Sequence, residues 1–114
     1  MKKTTPPVLH LNLMACWYNM IDAGIKLEEY RDKKEYFNRI FGTGKVKIKR
    51  IYYNPTDVVI CYSNGYHSDR RQMSFWCAGL RSGFGNPRWG ATPEKEQYIL
   101  KIGQRYKSGE ADTP

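Results

Sequence analysis

Within the stretch GIKLEEYR, residues 24–31, one lysine, two glutamates and an arginine crowd together as Lys26, Glu28, Glu29 and Arg31. A lysine set near a second cation and partly desolvated loses its proton more readily, and then serves as a base or a nucleophile. Kept charged, the same amine holds a phosphate. Lys26 and Glu29 are therefore the candidate catalytic pair, with Gly24 and Arg31 as binding partners. The plain alternative is a solvated ion-pair cluster that contributes little. Geometry limits the choice. On an extended strand Glu29 and Arg31 share a face, whereas Lys26 has the other parity. The three converge only if Lys26 sits in a turn before the strand, and Gly24 makes such a turn available. Arg31 would then orient the Glu29 carboxylate as a two-pronged donor.

Those residues must be carried by neighbouring elements. VLHLNL, residues 8–13, alternates, with Leu9, Leu11 and Leu13 on one face and Val8, His10 and Asn12 on the other, as a strand does. In ACWYNMIDAG the residues Trp17, Met20 and Ile21 recur at helical spacing, Leu13 extends that face backward, and Gly24 suits a left-handed cap. KLEEYR is short and reads as strand or extended chain. A second short helix is expected over KKEYFNRIF, with Tyr36, Phe37, Ile40 and Phe41 as its apolar side and Gly42 and Gly44 at its end. KVKIKRIYY alternates again and predicts one strand with Lys45, Lys47 and Lys49 on a cationic face. Asn54-Pro55 breaks the chain. DVVICYS is a buried strand by composition, NGYHSD a turn, and RQMSFWCAGL a long strand with a bulge at Gly79. A Gly- and Pro-rich loop leads to a last strand, QYILKIGQRY. Five or six strands with two early helices predict an α+β fold, a small β-barrel flanked by the helices. Residues 1–7 read as a flexible arm, 8–106 as one domain and 107–114 as a loose tail.

Composition narrows the partners. The 114 residues carry 19 Lys plus Arg against 11 Asp plus Glu, a net charge of +8 that favours an anionic partner such as RNA, DNA or a nucleotide. Apolar residues make up 40% of the chain, enough for a core without disulfide staples. Cys16, Cys61 and Cys77 have no paired spacing and read as reduced thiols. His10 and His67 supply no zinc spacing, so no metal and no cofactor is expected. The short, interrupted apolar run near the N-terminus is no signal-peptide core, and no segment reaches the length of a membrane helix. A cytoplasmic protein without a membrane partner is expected.

With strand, helix and charged stretch in this order, the segment from Val8 to Phe37 resembles the start of an ASCH domain. The mark of that family is G-x-K-x-x-E-x-R after the first helix, matched by Gly24, Lys26, Glu29 and Arg31. The stretches VVICYSNGY, GFGNPRWGA and YILKIGQ are similar to a bacterial and phage branch, so the resemblance spans roughly residues 8–105. It implies a PUA-like barrel and work on RNA or modified nucleosides. One branch of the family removes the acetyl group from N4-acetylcytidine, using the motif lysine, a threonine three residues later and a distant glutamate. Lys26 matches that lysine, but Glu29 stands where the threonine would be, and Glu94 and Glu96 lie in a different context. An acidic Glu29 repels a developing oxyanion unless Arg31 neutralises it, so weak or no such activity is expected. Other members are ribonucleases, yet no histidine pair here supports acid–base cleavage.

Further binding candidates surround this motif. His10 and Asn12 can line the same cavity, or simply be hydrogen-bonded structural groups. Lys45, Lys47, Lys49 and Arg50 form the densest basic run, suited to a phosphate backbone or to a solvated strand face; Arg70 and Arg71 can add to it. Phe84, Arg88 and Trp89 in the Gly-rich loop can stack bases, or Trp89 can cap the barrel. GFGNPRWG lacks the GK[ST] of a phosphate-binding loop. Three readings follow: an RNA- or nucleotide-binding module, an amidohydrolase or ribonuclease, and a non-catalytic protein-interaction domain.

Overall fold

The computed structural model describes residues 5–65 and 71–107. Residues 1–4 of the expected arm, the turn residues 66–69, Arg70 and the tail 108–114 lie outside the described residues. The first strand, β1 (Val8–Leu13), turns its leucines inward, with Leu11 and Leu13 buried. Helix α1 (Ala15–Asp22) follows. Its buried residues are Tyr18 and Ile21, while Trp17 and Met20 stay half-exposed, so the inward face is rotated from the one expected. The helix ends as its sequence suggests. Gly24 takes φ +78° and donates to the Ile21 carbonyl, and the Ile25 N–H returns to Met20. That bonding pattern is a Schellman cap with glycine at its left-handed position.

Next come β2 (Glu28–Asp32) and α2 (Glu35–Phe41). The expected single strand over residues 45–53 is instead a hairpin of β3 (Val46–Ile48) and β4 (Ile51–Tyr53). The two residues between them, Lys49 and Arg50, both have positive φ, 50° and 72°. These are the signs of a type I′ turn, whose twist matches the strands it joins. Alternation continues across such a turn, which is why the sequence mimics one strand. A 3-10 turn at Pro55–Asp57 leads to β5 (Val59–Asn64), then β6 (Gln72–Gly83), a 3-10 turn at Pro87–Trp89, and β7 (Gln97–Tyr106).

Five strands form one mixed sheet in the order β1-β5-β6-β7-β2, with β1 parallel to β5 and the other pairs antiparallel. The register between β6 and β7 slips on both sides of Cys77 and resumes at Gly79, so the irregularity ends at the glycine singled out for a bulge. The sheet curls into a half-barrel. Its two edge strands, β1 and β2, approach to within a side chain's length: Arg31 on β2 donates to the Asn12 carbonyl on β1 at 2.9 Å. Inside lie Tyr62, Ile60, Phe75, Tyr98 and Leu100, joined by Phe41 of α2 and Val46 of β3. The architecture is thus α+β, with a curled five-strand sheet, a separate hairpin and two short helices. No helix among the described residues is long and apolar enough to cross a membrane.

Candidate functional site

The seam between β1 and β2 is where the charged stretch folds in. The Schellman cap reverses the chain, which places Lys26 just ahead of β2 rather than on it. Glu29 and Arg31 point to one face of β2, opposite Leu100 and Tyr98 of β7. The three side chains meet there. Lys26 Nζ lies 3.2 Å from Glu29 Oε1, and Arg31 Nη2 lies 2.7 Å from Glu29 Oε2. Arg31 does not fork onto the carboxylate as expected. The same Nη2 serves both Glu29 and the Asn12 carbonyl, and its buried Nε–H has no partner among the described residues. The guanidinium thus ties the open side of the half-barrel while neutralising Glu29.

Burial sets this cluster apart from a surface ion pair. Lys26 is 1% exposed and Glu29 6%. The Lys26 amine donates to the main-chain carbonyl of Trp89 and sits 4.7 Å from the Tyr30 ring centroid and 5.5 Å from that of Trp17. A cation over aromatic faces is partly compensated for lost water. Burial nevertheless lowers the Lys26 pKa; contact with Glu29 opposes this, and the Arg31 charge reinforces it. The Tyr62 phenol, fully buried, is pushed well above its ordinary range by burial and then by the nearby Glu29 carboxylate.

A loop closes the cluster from outside. Tyr30 donates to Glu28 Oε1 at 2.8 Å and accepts from the Asn86 N–H at 3.0 Å, clamping the loop to β2. Burial, with help from Glu28, raises its hydroxyl to about 12. Two glycines allow the loop to lie this close. A Cβ at Gly85 would stand 2.2 Å from the Tyr30 ring, and Gly90, at φ +102°, has the Trp17 ring where its own Cβ would point. Trp89 packs beside Tyr30, Ala91 and Ile99. Phe84, 68% exposed, and Arg88 face solvent on the same loop.

Other expected site residues lie apart. His10 is exposed and lines a groove beside the hairpin, not the seam. Asn12 enters through its main chain rather than its amide. Lys45, Lys47, Lys49 and Arg50 do not form one strand face: Lys45 precedes β3, Lys47 lies on it, and Lys49 and Arg50 form the turn. Arg71 is exposed and lies over the Tyr18 ring. Sequence reasoning missed Tyr30, Tyr62 and the Trp89 carbonyl. A main-chain contact leaves no residue-type signal, and Tyr62 is hidden within an otherwise apolar strand. Three cavities of about 300 to 370 Å³ lie elsewhere. Among the described residues no group of His, Cys, Asp and Glu is arranged to hold a metal ion.

No protein-family model, curated protein or solved structure matches the chain.

Proposed function

We propose that the chain is an RNA- or nucleoside-binding module of the PUA-like ASCH kind, with its ligand site at the seam of the half-barrel. The observation that carries this reading is the buried Lys26 amine, held between two aromatic rings and bonded to the loop's own carbonyl. A nucleobase presents the same chemistry: a planar ring with a carbonyl oxygen on its edge. When the loop of residues 84–91 swings away, the Trp89 carbonyl leaves Lys26 with an N–H to donate. Glu29 then faces the base edge beside it and can accept from an exocyclic amine, while Trp17 and Tyr30 supply faces for stacking. A base with a carbonyl and an amine or N–H on the same edge, such as cytosine or guanine, fits that donor–acceptor pair better than adenine, which has no carbonyl.

Binding is favoured over turnover. Glu29 occupies the position where an oxyanion would need a donor, and Arg31 is already engaged by Glu29 and Asn12. Calorimetric titration with cytidine, guanosine, adenosine and N4-acetylcytidine tests the proposal. Saturable binding of cytidine or guanosine, lost in Lys26→Met, is expected. Absence of binding by all four overturns it. Robust deacetylation of N4-acetylcytidine that disappears in Lys26→Ala would establish the hydrolase instead, and activity gained only in Glu29→Thr would show that this position limits the chemistry.

A further inference from the structure

Away from the seam, the β3–β4 hairpin keeps an unfavourable conformation at its tip. Type I′ turns ordinarily use Asn-Gly because both central residues have positive φ, which costs other residue types stability. Here the two positions are Lys49 and Arg50. Lys45, Lys47, Lys49 and Arg50 form no ion pair among the described residues, although most of the other described cations do. Strain and unneutralised charge therefore coincide at one exposed point. Beside it lies a groove of about 370 Å³ between the hairpin and β1, lined by His10, Ile48, Lys49, Ile51 and Tyr53. On the outer face Lys47 lies over the exposed Tyr52 ring, and Ile51, on the groove side, is exposed as well.

We propose that this hairpin and its groove form a second nucleic-acid site, which takes single-stranded RNA or DNA. An unstacked base enters the groove against Tyr53 and Ile51, with His10 at its edge. Lys49 and Arg50 hold the flanking phosphates, and Lys47 with Tyr52 meets the next nucleotide. The Tyr53 ring in the groove favours a single strand, because a base stacked within a duplex has no free face to offer. Charge complementarity favours a polyanion, and the apolar groove floor favours bases over a purely acidic peptide. The inference extends the proposed RNA reading but rests on different residues, so the two can fail separately.

The test uses the full chain and a fluorescent oligonucleotide of about 12 nucleotides, within the site sizes of single-strand binders. Three proteins are compared: wild type, Lys26→Met, and the double variant Lys49→Asn with Arg50→Gly. The double variant suits the turn better, so its melting midpoint should rise while its affinity falls at least tenfold. Its salt dependence should flatten by about 1.4 in log–log slope, two phosphates at about 0.7 each. Lys26→Met should lose nucleoside binding while its oligonucleotide salt slope stays that of the wild type, because Lys26 meets a base and not a phosphate. Unchanged affinity and slope in the double variant overturn the inference and leave the seam reading standing. Wild-type binding to nucleosides but to no oligonucleotide does the same. Tighter binding of a blunt duplex of equal length, or full displacement by oligoglutamate at equal charge concentration, overturns it in favour of groove insertion or an acidic protein partner.

Discussion

The chain holds its positive charge in two opposite ways. At the seam, Lys26 and Arg31 are drawn inside and share one carboxylate, so each charge depends on the next. On the hairpin, Lys45, Lys49 and Arg50 are exposed and Lys47 is half-exposed, and none of them has a carboxylate partner among the described residues. Removing a partner from a buried cluster exposes an uncompensated charge to a low dielectric, whereas removing one solvated lysine changes almost nothing about folding. Equal formal charges thus have unequal structural weight. The contrast separates residues that build the molecule from those free to serve a partner.

The sharpest way to break this contrast is Glu29→Gln. It leaves Lys26 and Arg31 facing each other without a counter-charge. Urea unfolding should show a loss of about 3–5 kcal/mol, the usual cost of breaking a buried pair from one side. A loss below about 1 kcal/mol would mean that water already reaches the cluster.

A smaller effect comes from pH. Burial lowers the folded-state pKa of Lys26 below 10.5, so the unfolded chain binds more protons between those two values. Stability must therefore rise as pH climbs through that window, with the burial penalty fully present below it. Tyr30 works the other way, since its folded pKa is raised from 10 to about 12 and its contribution is lost as pH rises through 10 to 12. Comparing wild type with Lys26→Met cancels the tyrosine. Denaturant midpoints taken from pH 7 to 10 should show the wild type gaining on the variant. A constant difference would place Lys26 at an ordinary pKa.

Least affected should be the hairpin. Lys45→Glu should shift stability by no more than about 0.5 kcal/mol, as exposed substitutions do, and Lys47→Glu by no more than about 1 kcal/mol, because Lys47 also lies over the Tyr52 ring. Thermal melts check this, and a larger loss from either would show that the basic run is part of the fold.

How far the sequence could be read follows the same division. Period and punctuation revealed β1, α1 with its Gly24 cap, α2 and the three long C-terminal strands, because each signal is local. The convergence of Lys26, Glu29 and Arg31 was legible from strand parity plus one turn. The hairpin was not, since a two-residue turn preserves alternation and Lys49-Arg50 carries none of the usual turn residues. The loop's closure over Lys26 was equally hidden. It depends on a main-chain carbonyl and on two glycines whose reason is an aromatic ring more than fifty residues away. His10 was placed in the wrong cavity because strand parity gives a face, not a neighbour. Tyr18 took the place of Trp17 in the core because a short helix can rotate to bury either.

The most direct measurement is a two-dimensional NMR titration of the labelled chain with cytidine and guanosine. The account predicts saturating shifts at the Trp17 and Trp89 indole N–H groups and at the Gly85 and Gly90 amides, with the hairpin amides unmoved and every shift abolished in Lys26→Met. Shifts confined to residues 45–53, or no saturating shift at all, would contradict it.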